Sequence, residues 1–512
     1  MRAPSRLALW ALCAALLIGV LGDQLILHAP DLGMGGFLWV AALAAATVVL
    51  ARWVPEAETP AAESAPALQV ERGRHGSLQG EGRWLLAAAV VFAACLAWRA
   101  SPVLQFLNLL AIGLSLGLAA LTLRDGGLSR AGILTYPLGL VLSAAHHAAG
   151  PFWLLFSDVD WKGLSRGPGS RRAAAALRGL VIAVPLLLLF GSLLAAADAV
   201  FAALLDRAFV WRPGSWLLHL FGTLFFGFLA AGFLRTGLIR QPGGLPRLDA
   251  SGVGERGSFA LGPVETGVVL GLLNLLFLAF VLVQIRYLFG GADLVMATAG
   301  LTYAEYARSG FFELVQVTAL VLPVLLALHW ALPEEDRAAH RLFRRLGTPL
   351  IALLFSVMAS AVQRMWLYVL EYGLTELRLY ATAFMVWMAF LFVWFLATVM
   401  RGARERFAAG ALAGGLAVLL LLHAVNPDAL IARINVARAV ETGRFDAGYA
   451  ASLGPDALPV LVEALDRLPD PARAELEARL EERIHRPPSA DWRAWNWGRA
   501  RAVQVASSLR TE

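Results

Sequence analysis

The sequence predicts an all-α, polytopic helical membrane protein with a small C-terminal helical domain. Of its 512 residues, 59% are hydrophobic and 16% are charged, whereas soluble proteins carry about 25% charged residues. The mean hydropathy is +0.66. Twelve apolar runs are visible, against a requirement of roughly 20 residues per helical crossing. These observations exclude a soluble enzyme, a disordered protein and a secreted disulfide scaffold.

The apolar runs alternate with connections that differ in positive charge. Connections after the fifth, seventh, ninth and eleventh runs carry sixteen Lys or Arg residues, and the alternate connections of that half carry six. Positive loops stay in the cytoplasm, which places the C-terminal end outside the cell. The runs are residues 7–21, 33–50, 84–98, 103–123, 132–156, 180–197, 216–234, 267–285, 311–332, 349–361, 379–400 and 407–425.

The fifth run decides the number of crossings. Arginines in the first half place the N-terminus inside, and this agrees with the second half only if one run does not cross. Residues 132–156 contain Pro137, Gly150 and Pro151, which suit a broken or re-entrant helix. We predict about eleven crossings, with the N-terminus cytoplasmic and the C-terminus extracytoplasmic. Twelve crossings with the N-terminus outside is the alternative.

The ratio of arginine to lysine and the positions of the positive charges indicate the cellular location. Lys162 is the single lysine beside 42 arginines, a bias typical of bacteria with GC-rich genomes. The positive charges lie between apolar runs, so we predict a lipid bilayer and no nucleic acid as the partner. The run at 7–21 resembles a signal peptide without a cleavage site and is interpreted as an uncleaved crossing. The predicted location is the bacterial cytoplasmic (inner) membrane.

The chain divides into four predicted regions. Residues 1–54 form a transmembrane hairpin, and residues 55–82, rich in Pro, Ala, Glu and Gly, form a flexible cytoplasmic linker. Residues 83–425 form the main transmembrane domain. Residues 426–512 have the composition of a small helical domain on the extracytoplasmic side.

Capping signals predict the helices of this last region. Asn426 caps a helix that ends at Gly443, and Asp456 caps a segment reaching residue 468. Asp470 opens the next helix, and Asp491 caps a final one. The region is expected to be an array of helical hairpins.

A polar cluster at the tenth run is the strongest candidate site. Arg364, Tyr368 and Glu371 are spaced by four and three residues, so they share one helical face. Glu376 and Arg378 follow at the start of the next run. Charges inside a membrane usually pair or line a path, which suggests a substrate or ion site near the outer face. A structural Arg–Glu network at the helix ends is the interpretation that we favour.

A second cluster precedes the ninth run. It contains Tyr303, Glu305, Tyr306 and Arg308. As an amphipathic interfacial segment it would cover the first cluster like a lid. An ordinary solvated loop is the alternative, and we give it slightly more weight.

Polar side chains within the runs are expected to form hydrogen bonds between helices. They are Asn108, Asn274, Gln284 and Gln316.

Four residues are weak candidates for metal ligands, namely His146, His147, Asp158 and Asp160. Two imidazoles and two carboxylates could hold a divalent cation. Adjacent histidines on a helix point about 100° apart, however, and an Asp-x-Asp pattern is common. We therefore predict no metal site and no cofactor.

Tryptophans of the last region offer a partner surface. Trp492, Trp495 and Trp497 lie near three arginines, a composition found at protein interfaces. The alternative, which we prefer for Trp492 and Trp495, is packing in the core of the small domain.

No sequence motif of a known catalytic class is present, so an enzyme is not expected. A membrane enzyme that uses Asp158 and Asp160 is the third and weakest hypothesis. The favoured hypothesis is a non-enzymatic cell-envelope accessory or scaffold protein that presents its last domain to an envelope protein partner. The alternative is a secondary transporter or channel that uses the Arg/Glu/Tyr cluster.

Four blocks of sequence resemble a known family. They are residues 301–313 (LTYAEYARSGFFE), residues 363–380 (QRMWLYVLEYGLTELRLY), residues 426–433 (NPDALIAR) and residues 491–496 (DWRAWN). The chain from about residue 160 onward resembles the bacterial polytopic membrane family catalogued as a domain of unknown function of the four-one-seven-three type. The resemblance implies a polytopic membrane topology and no particular reaction.

Overall fold

A computed structural model describes most of the chain, and every regular element in its described residues is helical. These residues are 3–54, 81–123, 132–161 except 134, 213–239, 261–289, 310–484 except 334, and 491–509, with isolated positions between 176 and 201. Three predicted segments lie outside the described residues: most of the sixth apolar run, the linker at 55–80 and the cluster at 303–308.

Ten helices of the described residues are long and apolar enough to cross a membrane, and Gly82–Trp98 is a shorter apolar helix. The protein is therefore an all-α polytopic membrane protein, as predicted. Large hydrophobic side chains on its surface, such as Leu272 and Leu276, provide the apolar exterior that lipid requires.

The first bundle forms around one hydrophobic core. Its helices are α1 (Ala3–Gly22), α2 (Met34–Ala51), α3 (Gly82–Trp98), α4 (Pro102–Thr122), α5 (Thr135–Trp153) and α6 (Pro213–Leu234). The predicted N-terminal hairpin, α1 and α2, packs into this core together with α3 and α6. α1 and α6 approach closely because Gly19 faces Gly227, where a Cβ would lie 2.9 Å from the opposite Cα.

α5 packs against both α4 and α6. Ser143 donates a hydrogen bond of 2.8 Å to the carbonyl of Gly117 on α4. Further along, His147 lies against Gly232 of α6, and Asp158, just beyond α5, pairs with Arg235 at 2.6 Å. The helical segment Thr135–Asp158 continues through Gly150 and Pro151 and is among the ten that are long and apolar enough to cross, so the predicted break at these residues is wrong.

The second bundle contains α7 (Pro263–Phe289), α8 (Phe311–Ala331), α9 (Arg337–Tyr372) and α10 (Glu376–Ala397), and α11 (Phe407–Val425) contacts both cores. Asn274 of α7 donates to the carbonyl of Leu346 on α9 at 2.9 Å, and Ser360 donates to Gln284. These contacts confirm the predicted polar bonds between helices for Asn274 and Gln284, whereas Gln316 is exposed on α8. The 36 residues of α9 give a length of about 54 Å, which exceeds the thickness of a bilayer.

The C-terminal domain has its own core. Its helices are α12 (Pro427–Thr442), α13 (Ala447–Ser452), α14 (Leu458–Ala464), α15 (Asp470–Ile484) and α16 (Trp497–Leu509). Asn426 caps α12, and Gly443 ends it with a φ of 70°, as predicted. The prediction for Asp456 is wrong: α14 has no side-chain cap, because the Asp456 carboxylate is bonded to the membrane domain instead.

The membrane bundle has two distinct ends. The end that contacts the C-terminal domain is called the capped end here. α9 starts at the opposite end, called the basic end, where Arg337, Arg341, Arg344 and Arg345 are all exposed.

Candidate functional site

The candidate site is a polar junction between the capped end and the C-terminal domain. Its first part is the connection between α9 and α10, which carries most of the predicted polar cluster. Glu371 forms an ion pair of 2.8 Å with Arg444, and both side chains are more than half exposed. Arg438 donates hydrogen bonds to the carbonyls of Leu370 and Glu371. Two arginines of the C-terminal domain thus hold the end of α9.

Arg378 bends back over the same connection. Its guanidinium carbon lies 4.1 Å from the centre of the Tyr368 ring, a cation–π contact, and the group donates to the carbonyl of Gly373. The structure therefore brings Tyr368 and Arg378 together. Their mutual contact stabilises the turn into α10.

Asn435 and Tyr449 complete this part of the junction, and the sequence analysis missed both. The Asn435 amide donates to the carbonyl of Leu374 at 2.9 Å and accepts from the Leu374 N–H at 2.7 Å. The Tyr449 hydroxyl accepts from the backbone N–H of Glu376 at 2.8 Å. Gly373 has a φ of 80°, and a Cβ there would lie 2.6 Å from the Asn435 side-chain oxygen. Only glycine fits this position.

Arg364 lies apart from these residues. It is one turn earlier on α9, where its guanidinium reaches Gly310 at the start of α8; a Cβ on Gly310 would lie 2.9 Å from an Arg364 nitrogen. The proposed lid residues Tyr303, Glu305, Tyr306 and Arg308 lie outside the described residues.

The second part of the junction is the connection between α3 and α4. Asp456, whose side chain is 3% exposed, lies 3.5 Å from Arg99 and accepts a 2.6 Å hydrogen bond from the N–H of Ala100. Burial raises the pKa of the Asp456 carboxyl, and these two partners lower it by less. Asn496 donates bonds of 2.8 Å to the carbonyls of Leu96 and Arg99.

Buried polar groups continue from Arg99 into both domains. Arg99 donates to the carbonyl of His423 at 2.9 Å, and the His423 ring lies 2.8 Å from the Asn108 side-chain oxygen. His423, Asn108 and Asp428 are fully buried. Asp428 occupies the first turn of α12, where the helix dipole favours a negative charge. These contacts are suited to attaching a domain, since Arg99, Asp456 and Asn496 form their hydrogen bonds and ion pair between segments that are far apart in sequence.

The four weak metal candidates do not form one group. His146 and His147 bond to carbonyls of their own helix, and Asp158 is paired with Arg235. The three-ligand group that the described residues do contain, Asp23, His28 and His219, was not predicted.

The tryptophan prediction needs a correction. Trp492, Trp495 and Trp497 are 58%, 41% and 53% exposed, so Trp492 and Trp495 do not pack in the core of the domain. The reason is local: Ala494 and Asn496 point into the protein in the short turn that holds them. The tryptophans consequently face outward.

A cavity of about 350 Å³ lies at the basic end. It is lined by His329, His340, Arg344, Arg401 and Arg404, among others. The concentration of arginine at this end follows the distribution expected of cytoplasmic loops.

Comparison with known proteins gives a family and no activity. A family model described as a domain of unknown function, DUF4153, matches residues 86–464. No curated protein and no solved structure matches the chain. The match agrees with the resemblance at the level of a domain of unknown function, although the family number differs from the four-one-seven-three type. It contains the junction residues from Arg99 to Asp456, and it omits Asn496 and the exposed tryptophans. Because it covers about three quarters of the chain, the protein belongs to the DUF4153 family.

Proposed function

We propose that this protein is a non-enzymatic scaffold of the bacterial cell envelope, which holds its C-terminal domain at the outer surface of the cytoplasmic membrane for an envelope protein partner. The observation that carries the proposal is the outward exposure of Trp492, Trp495 and Trp497 on a domain that is fixed to the membrane bundle. Tryptophan is the residue most enriched in the energetic centres of protein interfaces.

The attachment supports a scaffold because it fixes the domain at several separated points. Asp456 and Asn496 bind the α3–α4 connection, and Asn435 binds the α9–α10 connection. Arg499 adds an ion pair of 2.9 Å with Asp31, before α2. A domain held at three connections presents its surface in one orientation, which lowers the entropic cost of binding a partner.

The charges around the tryptophans favour a protein over a lipid headgroup. Arg493 is paired with Asp491 at 2.5 Å, and Arg499 is paired with Asp31. A surface that recruits anionic lipid carries a cluster of about 4–8 basic residues, whereas two of the three arginines near the tryptophans are neutralised by partners on the same surface. Arg501, which is exposed, leaves these tryptophans with little excess charge.

The docking contacts reduce the support for transport. The transport hypothesis depends on Arg364 and Glu371 facing a path through the bundle. Glu371 is bound by Arg444 of the C-terminal domain, and Arg364 lies against Gly310.

Site-specific photocrosslinking in native membranes tests the scaffold. A photoreactive phenylalanine analogue replaces Trp492, Trp495 or Trp497 in turn. The matched control is Val503, a hydrophobic residue of α16 that is 43% exposed on the same domain. We expect one protein adduct of constant mass from the tryptophan positions and none from position 503. Mass spectrometry then identifies the adduct.

Alanine substitutions measure how much each tryptophan contributes to partner binding. Trp492→Ala and Trp497→Ala should each weaken recovery of the crosslinked partner by about 30-fold, which corresponds to the roughly 2 kcal/mol of an interface hot spot, with the level of membrane-inserted protein unchanged. Adducts to lipid alone at all three tryptophan positions would overturn the proposal and indicate membrane anchoring.

Orientation is tested by labelling in intact cells. A membrane-impermeant thiol reagent should modify a Cys placed at Val503 and should leave a Cys placed at exposed Arg341 unmodified until the cells are opened. The reverse pattern would place the C-terminal domain in the cytoplasm and remove the envelope role.

A further inference from the structure

The end of α1 carries a buried acid with two histidines beside it. The helix widens there into a single π-helical turn, Asp23–Leu27, a feature that is often found at functional sites. Asp23 is 1% exposed, yet His28 and His219 beside it are partly exposed. The group is therefore open to solvent on the histidine side and closed on the carboxylate side.

The distances place three metal-ligating side chains in one group. The Nδ1 atom of His219 lies 2.7 Å from one carboxylate oxygen of Asp23, and Nδ1 of His28 lies 3.3 Å from the other. The two imidazole rings stack with centroids 3.9 Å apart. One ligand atom from each of the three residues falls within 4.8 Å of the other two.

Packing between α1 and α6 fixes this arrangement. His219 and Gly222 belong to the first turns of α6, which runs antiparallel to α1. A Cβ at Gly222 would lie 2.5 Å from the Oδ1 atom of Asp23, so the glycine lets the α6 backbone approach the carboxylate. The site therefore depends on two helices that are almost 200 residues apart in sequence.

The carboxylate is incompletely satisfied by its surroundings. Its Oδ2 atom accepts a 2.8 Å bond from Gln24 and lies 2.7 Å from Nδ1 of His219, while its buried Oδ1 atom has no hydrogen-bond partner. His28 Nδ1, 3.3 Å from Oδ1, bonds to the Asp23 backbone carbonyl at 3.0 Å. Arg493 contacts this segment at the Gln24 carbonyl and is already paired with Asp491. A buried carboxylate oxygen without a partner is unfavourable, and a cation between the three side chains would satisfy it.

We propose that Asp23, His28 and His219 bind a divalent transition-metal ion, with Zn²⁺ as the best match. Two imidazoles and one carboxylate are ligands that zinc and its first-row neighbours prefer, whereas Ca²⁺ and Mg²⁺ require oxygen ligands. Three protein ligands leave one position of a tetrahedral ion for water. The bound ion is therefore exchangeable and accessible from solvent.

Binding requires a local rearrangement of the two imidazole rings. Zinc–ligand bonds of about 2.0–2.1 Å in a tetrahedron separate the ligand atoms by roughly 3.3 Å. His28 Nδ1 lies 3.3 Å from Oδ1 of Asp23, whereas His219 Nδ1 lies 2.7 Å from Oδ2, so one ring must move toward the oxygen that the other faces. A bound ion lies in the plane of each imidazole ring, so the two rings must also turn out of their parallel stack. Both rings are partly exposed, and the rearrangement involves side chains alone.

The test is metal binding by the full chain, purified without a polyhistidine tag in nanodiscs and stripped of metal. Zn²⁺ is titrated and bound metal is counted by mass spectrometry. We expect one Zn²⁺ per chain, retained against millimolar Mg²⁺. Asp23→Asn and His219→Gln should each weaken binding by about 100-fold, the upper end of what the loss of even an outer partner costs. The matched control is His146→Gln, a histidine on α5 that bonds to its own helix and should leave binding unchanged.

A spectroscopic measurement on the unmodified chain tests the same site without substitutions, because a substituted chain that fails to fold would also lose metal binding. Co²⁺ bound to a site with nitrogen and oxygen ligands in tetrahedral geometry gives intense visible absorption, and Zn²⁺ should displace it at a ratio of one to one. An unmodified chain that takes up neither ion would overturn the proposal. Binding that survives in a folded Asp23→Asn variant would overturn it as well.

Discussion

The two ends of the membrane bundle use arginine in opposite ways. At the capped end, Arg99 and Arg378 are held by specific partners, a buried carboxylate and an aromatic ring. At the basic end, the arginines that begin α9, such as Arg341 and Arg345, are exposed. The same residue type thus attaches a domain at one end, and at the other it has the exposed clustering that the positive-inside rule associates with orientation.

This difference shows what a membrane protein needs for each purpose. Orientation depends on the number of positive charges near a loop, so no individual arginine requires a partner. Attachment depends on geometry, because a buried charge is tolerated only where donors and acceptors meet. The capped end should therefore be sensitive to single substitutions, and the basic end should not.

The largest effect is expected at Asp456. Asp456→Ala removes the acceptor for the Ala100 N–H and leaves Arg99 without its carboxylate. The loss of one partner from a buried pair costs about 3–5 kcal/mol. Hydrogen exchange of the α14 amides in the full chain should show the C-terminal domain opening more readily by that free energy.

The control lies in the same domain. Asp466 forms an ion pair with Arg473 at 3.1 Å, and its side chain is 88% exposed. Asp466→Ala should change the opening free energy by less than about 1 kcal/mol. Equal effects of the two substitutions would mean that the junction does not hold the domain.

A smaller effect is expected from pH, with a definite sign. Burial raises the pKa of Asp456 above its unfolded value of about 3.9, so the folded state binds the proton more tightly. The resulting stabilisation is complete below the unfolded value and is lost as the pH rises through the folded one. As the pH rises from 4 toward neutral, stability should therefore shift in favour of Asp456→Asn relative to the unmodified chain. A shift in favour of the unmodified chain would show that Arg99 dominates the carboxyl instead.

The smallest effect is expected at the basic end. Arg341→Gln changes an exposed side chain and should alter the free energy of unfolding by no more than about 0.5 kcal/mol. Thermal unfolding in nanodiscs measures this, with Asp456→Ala run in parallel. A loss of several kcal/mol from Arg341→Gln would erase the distinction between the two ends.

Local features of the sequence predicted local features of the structure. Asn426 and Gly443 bound α12 where expected, because capping depends on residues within one helical turn. The class of the fold followed from apolar run lengths for the same reason. Pro151, which was expected to break the fifth run, lies within α5 without ending it, since the helical segment continues to Asp158.

Features that depend on distant partners were not predictable in this way. Asp456 carries the signature of a helix cap, but its partner Ala100 is 356 residues away. Asp23 and His219 are 196 residues apart and meet only because α1 and α6 pack together. The exposure of Trp492 depends on which side of a three-residue turn faces the protein. A turn of this length has no repeating pattern of apolar residues from which its buried side could be predicted.

The contact between Arg499 and the segment before α2 has a consequence for biogenesis. Arg499 donates to the carbonyl of Leu32, 467 residues earlier, and the Met34 N–H bonds to the carbonyl of Trp495. Ribosomes add about 5–20 residues per second, so the first two helices wait roughly 25–90 s for the segment that completes their surroundings. During that interval the segment before α2 lacks its contacts with the C-terminal domain. An insertion chaperone that binds exposed polar backbone groups would act on this segment.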